Sequence, residues 1–530
     1  MIRYIIKQLN KFHIIIKFGV AGVLATGTNF LVLAFLVEIL GIWYLFATGC
    51  AFLISFGVSF YLQKFWTFRD DEKEGMHKQA VAYFFVVVTG LVVNIVAMYI
   101  LVDFFGLHYL LSQLIITAFI AAMNFVLYKY VIFKRALPDK NNKNNNKKKI
   151  LITTPIYPPL PGGPAIYVKL LEEELVKYNF EVQVIAYAKK ENCPEKINYN
   201  DKIIRIDRSL PKWKKYFQFF WAVNKLSAQA DIVYTQDQIN AGLPTALVCF
   251  LRDRKFIIKV VGDYAWEQAQ EQFGITDNLD EFQEKKYSKK IEFRRYLRKQ
   301  VVKEAEQIIT PSEYLKEIVK KWGIQVNKIK VIYNAVRTIE VEEDKEKLKA
   351  KLNFSGPTII TCIRLLPWKG WQALIEIMPR FLKLNPDYKL IIVGDGPDQK
   401  KFKQALNSSE AKNSIKYISN LEHSELMRYF KASDVFILNT NYEGLPHVVI
   451  EAQQLDLPVL TTIAGGNREV VTHEESGLIF KYNNKEEMID AIMRINSDNN
   501  LREKIVNNAK LGLGKFEKNR MIKNLIKIFK

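Results

Sequence analysis

Four stretches within the first 128 residues contain no Asp, Glu, Lys or Arg: Phe18–Val37, Leu40–Gln63, Gln79–Val102 and Phe104–Tyr128. Each reaches the ~20 residues that a helix needs to cross a bilayer, so the pattern predicts four spans. A cleaved leader is not expected, because the first stretch is too long and further spans follow. The pattern then breaks at LPDKNNKNNNKKK, Leu137–Lys149, which is polar, low in complexity and without apolar periodicity. Such a run reads as a disordered tether with a reach of about 20 Å. Beyond it, short apolar runs precede turn and helix patterns, as in Ile150–Thr153, Thr358–Ile363 and Ile437–Thr440. That alternation predicts an α/β fold with parallel sheets.

The apolar region repeats itself. A shift of 65 residues pairs Asn29 with Asn94, Gly41 with Gly106, Tyr44 with Tyr109, Phe60 with Phe125, Lys64 with Lys129 and Phe68 with Phe133, and sets Glu38 opposite Asp103. The reading is an α-helical membrane bundle of two repeated two-helix hairpins, both entering from the same side. Arg3, Lys7, Lys11 and Lys17 precede the first span; Lys64, Arg69, Lys73 and Lys78 separate the second from the third; Lys129, Lys134 and Arg135 follow the fourth. The other two loops carry no Lys or Arg, so both termini and everything after the tether are expected in the cytoplasm. Asn29 and Asn94 lie inside spans, where an amide contacts either a lipid headgroup or a neighbouring helix.

Charge and cysteine usage narrow the partners. The formal net charge is +21, which favours anionic lipid and phosphate; nucleic acid is set aside. Pro211–Trp221 and Lys285–Gln300 mix cations with aromatics, and a helix over the second would bring Ile291, Arg294, Arg295 and Arg298 to one side as a dock for membrane or a lipid pyrophosphate. The competing readings are a core helix for the first and a solvated basic helix for the second. The four cysteines are scattered without a C-x-x-C, no His/Cys cluster has metal spacing and no D-x-D occurs, so no metal or cofactor is expected.

The chemistry-bearing segment is NYEGLPHVVIEA, Asn441–Ala452, which places Glu443 in a turn and Glu451 two helical turns later. Between them the backbone of Gly444 and Leu445 opens a helix whose first N–H groups and dipole suit phosphate, while a carboxylate accepts hydrogen bonds from sugar hydroxyls. Arg364 and Lys369 follow the Thr358–Ile363 strand and should emerge at the carboxyl end of a parallel sheet, two cations suited to a diphosphate. Gly162 and Gly163 follow the Ile150–Thr153 strand, where a bare backbone can approach phosphate; the alternative is an ordinary strand–helix turn. Asp263 ends the strand of IIKVVGDYAWE, as a general base, a sugar contact or a helix cap. His447 lies inside the acidic segment, whereas His423 and His473 read as surface residues.

Glu443 and Glu451 match the E-x7-E signature of the family 4 glycosyltransferases, and YPPLPGG, ITPSEYLK, IYNAV, IRLLPWKG, IVGDGP, SDVFIL and AGGNREV occur in that family's order. Residues 150–530 thus resemble that family, which implies the GT-B fold of two Rossmann-like lobes, retention of configuration, and a nucleotide sugar used without a metal. The resemblance assigns a catalytic set of Glu443, Asp263, Arg364 and Lys369, and donor contacts at Gly162, Gly163, Arg364, Lys369, Glu443, Gly444, Leu445 and Glu451. Many members carry a His where this chain has Asp263, a departure from the family's pattern. KFGVAG and FYLQKFWTF, echoed by FVLYKYVIF, resemble the GtrA-like four-span proteins, associated with polyprenyl-phosphate-linked sugars.

The expected organisation is a membrane domain at 1–135, a linker at 136–149, an acceptor lobe at 150–335, a nucleotide-sugar lobe at 356–500 and a terminal helix at 501–530 packing back. The expected function is a membrane-anchored hexosyltransferase acting on a lipid-linked acceptor in cell-surface polysaccharide or glycolipid synthesis. The alternative makes the membrane domain a translocator or presenter of a polyprenyl-linked sugar, acting as an oligomer, with the soluble part as supplier or sensor.

Overall fold

The computed structural model describes residues 2–530 except 69, 71–75, 129–131, 133–146, 161, 195–196, 253, 338 and 340; at 2–13, 15, 44, 78, 91, 103–104, 109–110 and 113–114 it describes the backbone alone. The chain forms two compact units, residues 1–146 and 147–530. Most of the run read as a tether lies outside the described residues, as do Arg69, Lys73, Lys129, Lys134 and Arg135.

The first unit is helical: α1 (Ile2–Ala34), α2 (Tyr44–Tyr61), α3 (Met76–Tyr99) and α4 (Tyr109–Leu127). Three segments among the described residues, Ile16–Ile39, Leu45–Thr67 and Gln79–Val102, are long and apolar enough to cross a membrane; the apolar part of α4, Ile115–Leu127, is shorter. Leu31, Val23, Phe30 and Ile39 stand exposed on its outer face, as suits side chains whose solvent is lipid. α1 packs on α2 and α3 on α4, and Gly41 and Gly106 both take φ +64° in the turns between. Lys64, read as part of a cationic loop, is instead fully buried. It pairs with Asp70 at 3.1 Å and donates to Gln79 Oε1 at 2.6 Å.

The second unit contains two parallel sheets. The first comprises β1 (Lys148–Thr154), β2 (Phe180–Ala188), β3 (Ile203–Asp207), β4 (Ile232–Gln236), β5 (Ile257–Lys259), β6 (Gln307–Thr310) and β7 (Ile329–Val331) in the order β3-β2-β1-β4-β5-β6-β7. The second comprises β8 (Thr358–Cys362), β9 (Lys389–Val393), β10 (Ile415–Ile418), β11 (Val435–Leu438), β12 (Val459–Thr462) and β13 (Leu478–Phe480) in the order β10-β9-β8-β11-β12-β13. Central strands such as Ile150–Ile152 and Val435–Leu438 are buried on both faces, which is why they read as unbroken apolar runs rather than alternating ones. Strand order reverses beside β1 and β8, and ligands of such sheets bind outside the carboxyl ends of the strands at those points. These are the two Rossmann-like lobes of a GT-B fold.

Two expectations shift. β11 ends at Leu438, so Asn439 and Thr440 belong to the turn that follows it. The terminal helix is broken: Asn499–Leu511 and Lys518–Phe529 are separated by a tight turn over Leu513–Phe516, where Gly512 and Gly514 weaken helix propensity. Met521, Ile522, Leu525, Ile526 and Phe529 of the last helix pack against Ile150, Val182 and Tyr234 of the first lobe.

Candidate active site

At the end of β11 the chain turns sharply, and the turn is clamped from two sides. Asn439 Nδ2 donates to Gly370 O and Asn483 Oδ1, both at 2.8 Å. From the other side the Gly466 N–H donates to Glu443 O at 2.8 Å. A side chain on Gly465, which sits at φ +58°, would collide with that same carbonyl, so the AGG loop can lie against Glu443 only because it lacks one. The clamp holds Glu443 where its carboxylate pairs with Lys369, with side chains 14% and 13% exposed. Gly444 and Leu445 continue the turn into the helix His447–Gln454, and Glu451 on that helix bonds His423 Nε2 at 3.0 Å. Burial pushes the Cys362 thiol at the end of β8 up to about 12, with Glu451 adding to the rise and Lys369 opposing it, so both charges act on one point. Arg364 is exposed beyond β8.

The first lobe meets this assembly closely. Trp266 lies 4.9 Å from Trp368 and 4.9 Å from Tyr442, ring centroid to centroid, so the first lobe's buried cluster takes in side chains of the second. Glu469 of the AGGNREV loop reaches across: its carboxylate accepts from the N–H groups of Glu313 (2.9 Å) and Tyr314 (2.8 Å) and from the Tyr333 hydroxyl (2.9 Å). It thus caps the helix Glu313–Lys321 from the opposite lobe, a favourable place for negative charge. Lys259 at the end of β5 is buried, lies 3.2 Å from the centre of the Tyr167 ring and donates to Asn334; burial drives its pKa well down. Gly162 and Gly163 form the turn after β1, with Gly162 at φ +138° opening the helix Gly163–Glu174. They belong to the first lobe, whereas Arg364, Lys369, Glu443, Gly444, Leu445 and Glu451 all belong to the second.

Asp263 does not face solvent or the cleft. It is fully buried and caps the helix Tyr264–Phe273, accepting from Ala265 N (3.0 Å) and Trp266 N (3.2 Å) through one oxygen. The other oxygen takes Gln283 Nε2 at 3.1 Å and an ion pair with Arg298. With both oxygens committed, a role as base or sugar contact is corrected to that of a structural cap. Four residues on, Glu267 is the acid that borders the second lobe. A Cβ on Gly262 would stand 2.5 Å from Glu267 Oε1 and 3.2 Å from the Tyr442 hydroxyl, so the two groups flank that glycine. Burial, with the charges of Asp263, Glu271 and Asp237, pushes the Glu267 carboxyl up to about 8 against the pull of Arg364.

Comparison with known proteins agrees with this architecture. Residues 161–340 match the family model for Glycosyltransferase Family 4, residues 343–512 that for Glycosyl transferases group 1, and residues 17–133 that for the GtrA/DPMS transmembrane domain. The chain's second unit matches glycosyltransferase family models, and its first a GtrA-type membrane domain. The chain is 27% identical over 233 residues to an uncharacterized glycosyltransferase of Methanocaldococcus jannaschii, covering 42% of this chain and 60% of that protein. Over 165 residues it is 29% identical to a GDP-mannose-dependent phosphatidylinositol monomannoside mannosyltransferase of Corynebacterium glutamicum, covering 29% and 42%. The chain therefore spans about half the length of these relatives. In fold, the chain is similar to Anabaena HepE in complex with UDP and glucose (TM-score 0.58, 19% identity, 72% of this chain and 99% of that one). It is likewise similar to sucrose-phosphate synthase of Thermosynechococcus elongatus (TM-score 0.60, 18% identity, 72% and 98%).

Other site expectations resolve differently. The basic helix Lys289–Glu304 is no dock on the face proposed: Ile291 and Arg298 are buried, Arg294 donates to Gln272 at 2.8 Å, and Arg295 donates to Glu292 and to the carbonyls of Lys285 and Gln283. The helix Lys212–Ser227 buries Phe219, Ala222 and Val223 yet exposes Trp213, Phe217 and Trp221 one turn apart. His423 is not merely a surface residue, since it engages Glu451; His473 accepts from Ile479 N at 2.9 Å. His447 is held below the ordinary histidine range by burial. In the membrane unit Asn29 Nδ2 donates to Ser55 Oγ at 3.2 Å, joining α1 to α2. Asn29 also lines a cavity of about 440 Å³ with Ser59, Gln63, Tyr83 and Asn124. Asn94, half-buried on α3, is not among the residues lining it.

Proposed function

We propose that this protein transfers a sugar, with retention of configuration and without a metal, from a nucleotide sugar to a lipid-linked acceptor at the cytoplasmic face of a membrane. The observation that carries the reading is the Lys369–Glu443 pair, held beyond the strand that Arg364 follows and next to a helix start. When donor binds, Lys369 turns from Glu443 to the diphosphate and Arg364 grips it bidentately, stabilising the charge that develops as it departs. Glu443, released from its cation, accepts hydroxyls of the transferred sugar. Glu451 holds the ribose, and the N–H groups of Gly444 and Leu445 and the Gly162–Gly163 turn complete the phosphate cradle. The UDP complex of HepE supports a uridine nucleotide as the first donor to try. The Corynebacterium relative, which by its description acts on a phosphatidylinositol mannoside, supports a lipid acceptor.

The membrane unit anchors the enzyme through four spans built as two copies of one hairpin, which the shared φ of Gly41 and Gly106 supports. Trp213, Phe217 and Trp221, flanked by exposed Lys212 and Lys214, suit an anionic membrane surface. The test is the full chain in lipid nanodiscs with a panel of UDP and GDP sugars and lipid extract. Expected is release of nucleotide diphosphate with one donor; no binding of any nucleotide would overturn the reading. The polar cavity around Asn29 favours a second role, presenting or passing a lipid-linked sugar, which vesicles containing the protein and labelled lipid-linked sugar would test; an unchanged sidedness of label would exclude it.

A further inference from the structure

Glu267 is the first-lobe group at the cleft to which no role is assigned. It sits in the first turn of the helix Tyr264–Phe273, and its carboxyl and the Tyr442 hydroxyl of the other lobe both pack close to Gly262. Among the described residues no hydrogen bond or ion pair engages that carboxyl. The Tyr442 hydroxyl, on the residue preceding Glu443, is buried and also has no partner. A buried hydroxyl of the second lobe without a partner, beside a half-buried and unpaired carboxyl of the first, marks a place where a third group can be bound. The charges around Glu267 are Asp263 and Glu271 on its own segment, Asp237 beyond β4, and Arg364 of the second lobe.

We propose that Glu267 binds a hydroxyl of the reacting sugars as a neutral carboxylic acid, donating a hydrogen bond beside Tyr442 rather than serving as a base. This rests on the nucleotide-sugar reading of the site. The acid is surrounded by three carboxylates and one cation, and a donor diphosphate gripped by Arg364 would add further negative charge, so the proton is held more firmly in the loaded site than in the empty one. The folded pKa is raised to about 8. The competent form is therefore present below that value and lost as pH rises through it.

The experiment uses the full chain in nanodiscs, with UDP-glucose turnover followed from about pH 7 to about pH 9 and UDP binding measured separately. Expected is a wild-type kcat/KM that falls about tenfold over that range. Glu267→Gln, which keeps the donor and cannot ionise, should stay within about threefold of wild type at neutral pH and lose the alkaline fall, whereas Glu267→Ala should lose about a hundredfold. UDP affinity should be unchanged in both, which shows the fold and nucleotide site to be intact. A loss of UDP-glucose affinity in Glu267→Ala places the hydroxyl on the donor sugar; loss of turnover alone places it on the acceptor. A Gln variant as damaged as the Ala variant, or one that keeps the alkaline fall, overturns the inference. A wild-type chain that binds no UDP overturns the uridine-donor reading and this inference with it.

Discussion

Replacing Asp263 by Asn separates a structural acid from a catalytic one. Asn caps a helix about as well as Asp, so the contacts to Ala265 and Trp266 survive the change and the capping contribution moves little. What is lost is the partner of Arg298, whose side chain is 3% exposed and lies 3.9 Å over the Trp322 ring. Stripping one member from a buried pair leaves an uncompensated charge and costs about 3–5 kcal/mol. In a lobe of roughly 190 residues that corresponds to a drop in melting temperature on the order of 10 °C. The measurement is tryptophan fluorescence of the full chain during heating, since Trp266 and Trp322 flank the pair. The double variant Asp263→Asn/Arg298→Met removes both charges and should recover most of the loss, because a buried pair replaced by apolar groups is close to neutral. A single variant that melts within about 2 °C of wild type would refute the reasoning. A variant of unchanged stability but abolished turnover would restore Asp263 to the chemistry.

Further outcomes follow from the same geometry. Lys369→Met should lower UDP-glucose turnover about a hundredfold with a smaller effect on UDP binding; turnover within about threefold of wild type would remove Lys369 from leaving-group stabilisation. Glu469→Gln weakens charge-assisted bonds to two backbone N–H groups, so the amides of Glu313 and Tyr314 should exchange with solvent about tenfold faster, as read by mass spectrometry. Unchanged exchange would mean the lobes are held together elsewhere. His447 is neutral in the folded chain and its pKa is depressed, so on acidification the unfolded chain takes the proton first. Stability is full above the ordinary histidine value of about 6.5 and falls below it; His447→Gln should show a shallower loss of melting temperature from about pH 7 to about pH 5.

Much of the architecture was legible because it depends on local pattern. Unbroken apolar runs announced the strands buried on both faces, and charge-free stretches announced the membrane helices. The Gly-Leu-Pro turn marked the start of the helix that carries Glu451, whereas the close approach of Gly465 and Gly466 to Glu443 and Gly444 emerged only from the structure. The site was legible only in part, for it is built from separations that no local signal encodes: Lys369 meets Glu443 across 74 residues and His423 meets Glu451 across 28. In GDYAWE the strand-end acid looked like the functional one, yet an Arg 35 residues later consumes it. The helix that Asp263 caps then carries Glu267 to the cleft one turn on, a spacing of four that sequence periodicity could have suggested. Lys285–Gln300 read as one basic face because composition alone does not reveal that Arg298 points inward.

The chain passes from the first lobe to the second after β7, then returns to lay Lys518–Phe529 on the first sheet. Sliding or twisting of one lobe over the other would pull Met521, Leu525 and Phe529 from their seats against Ile150, Val182 and Tyr234, so the returning helix resists it.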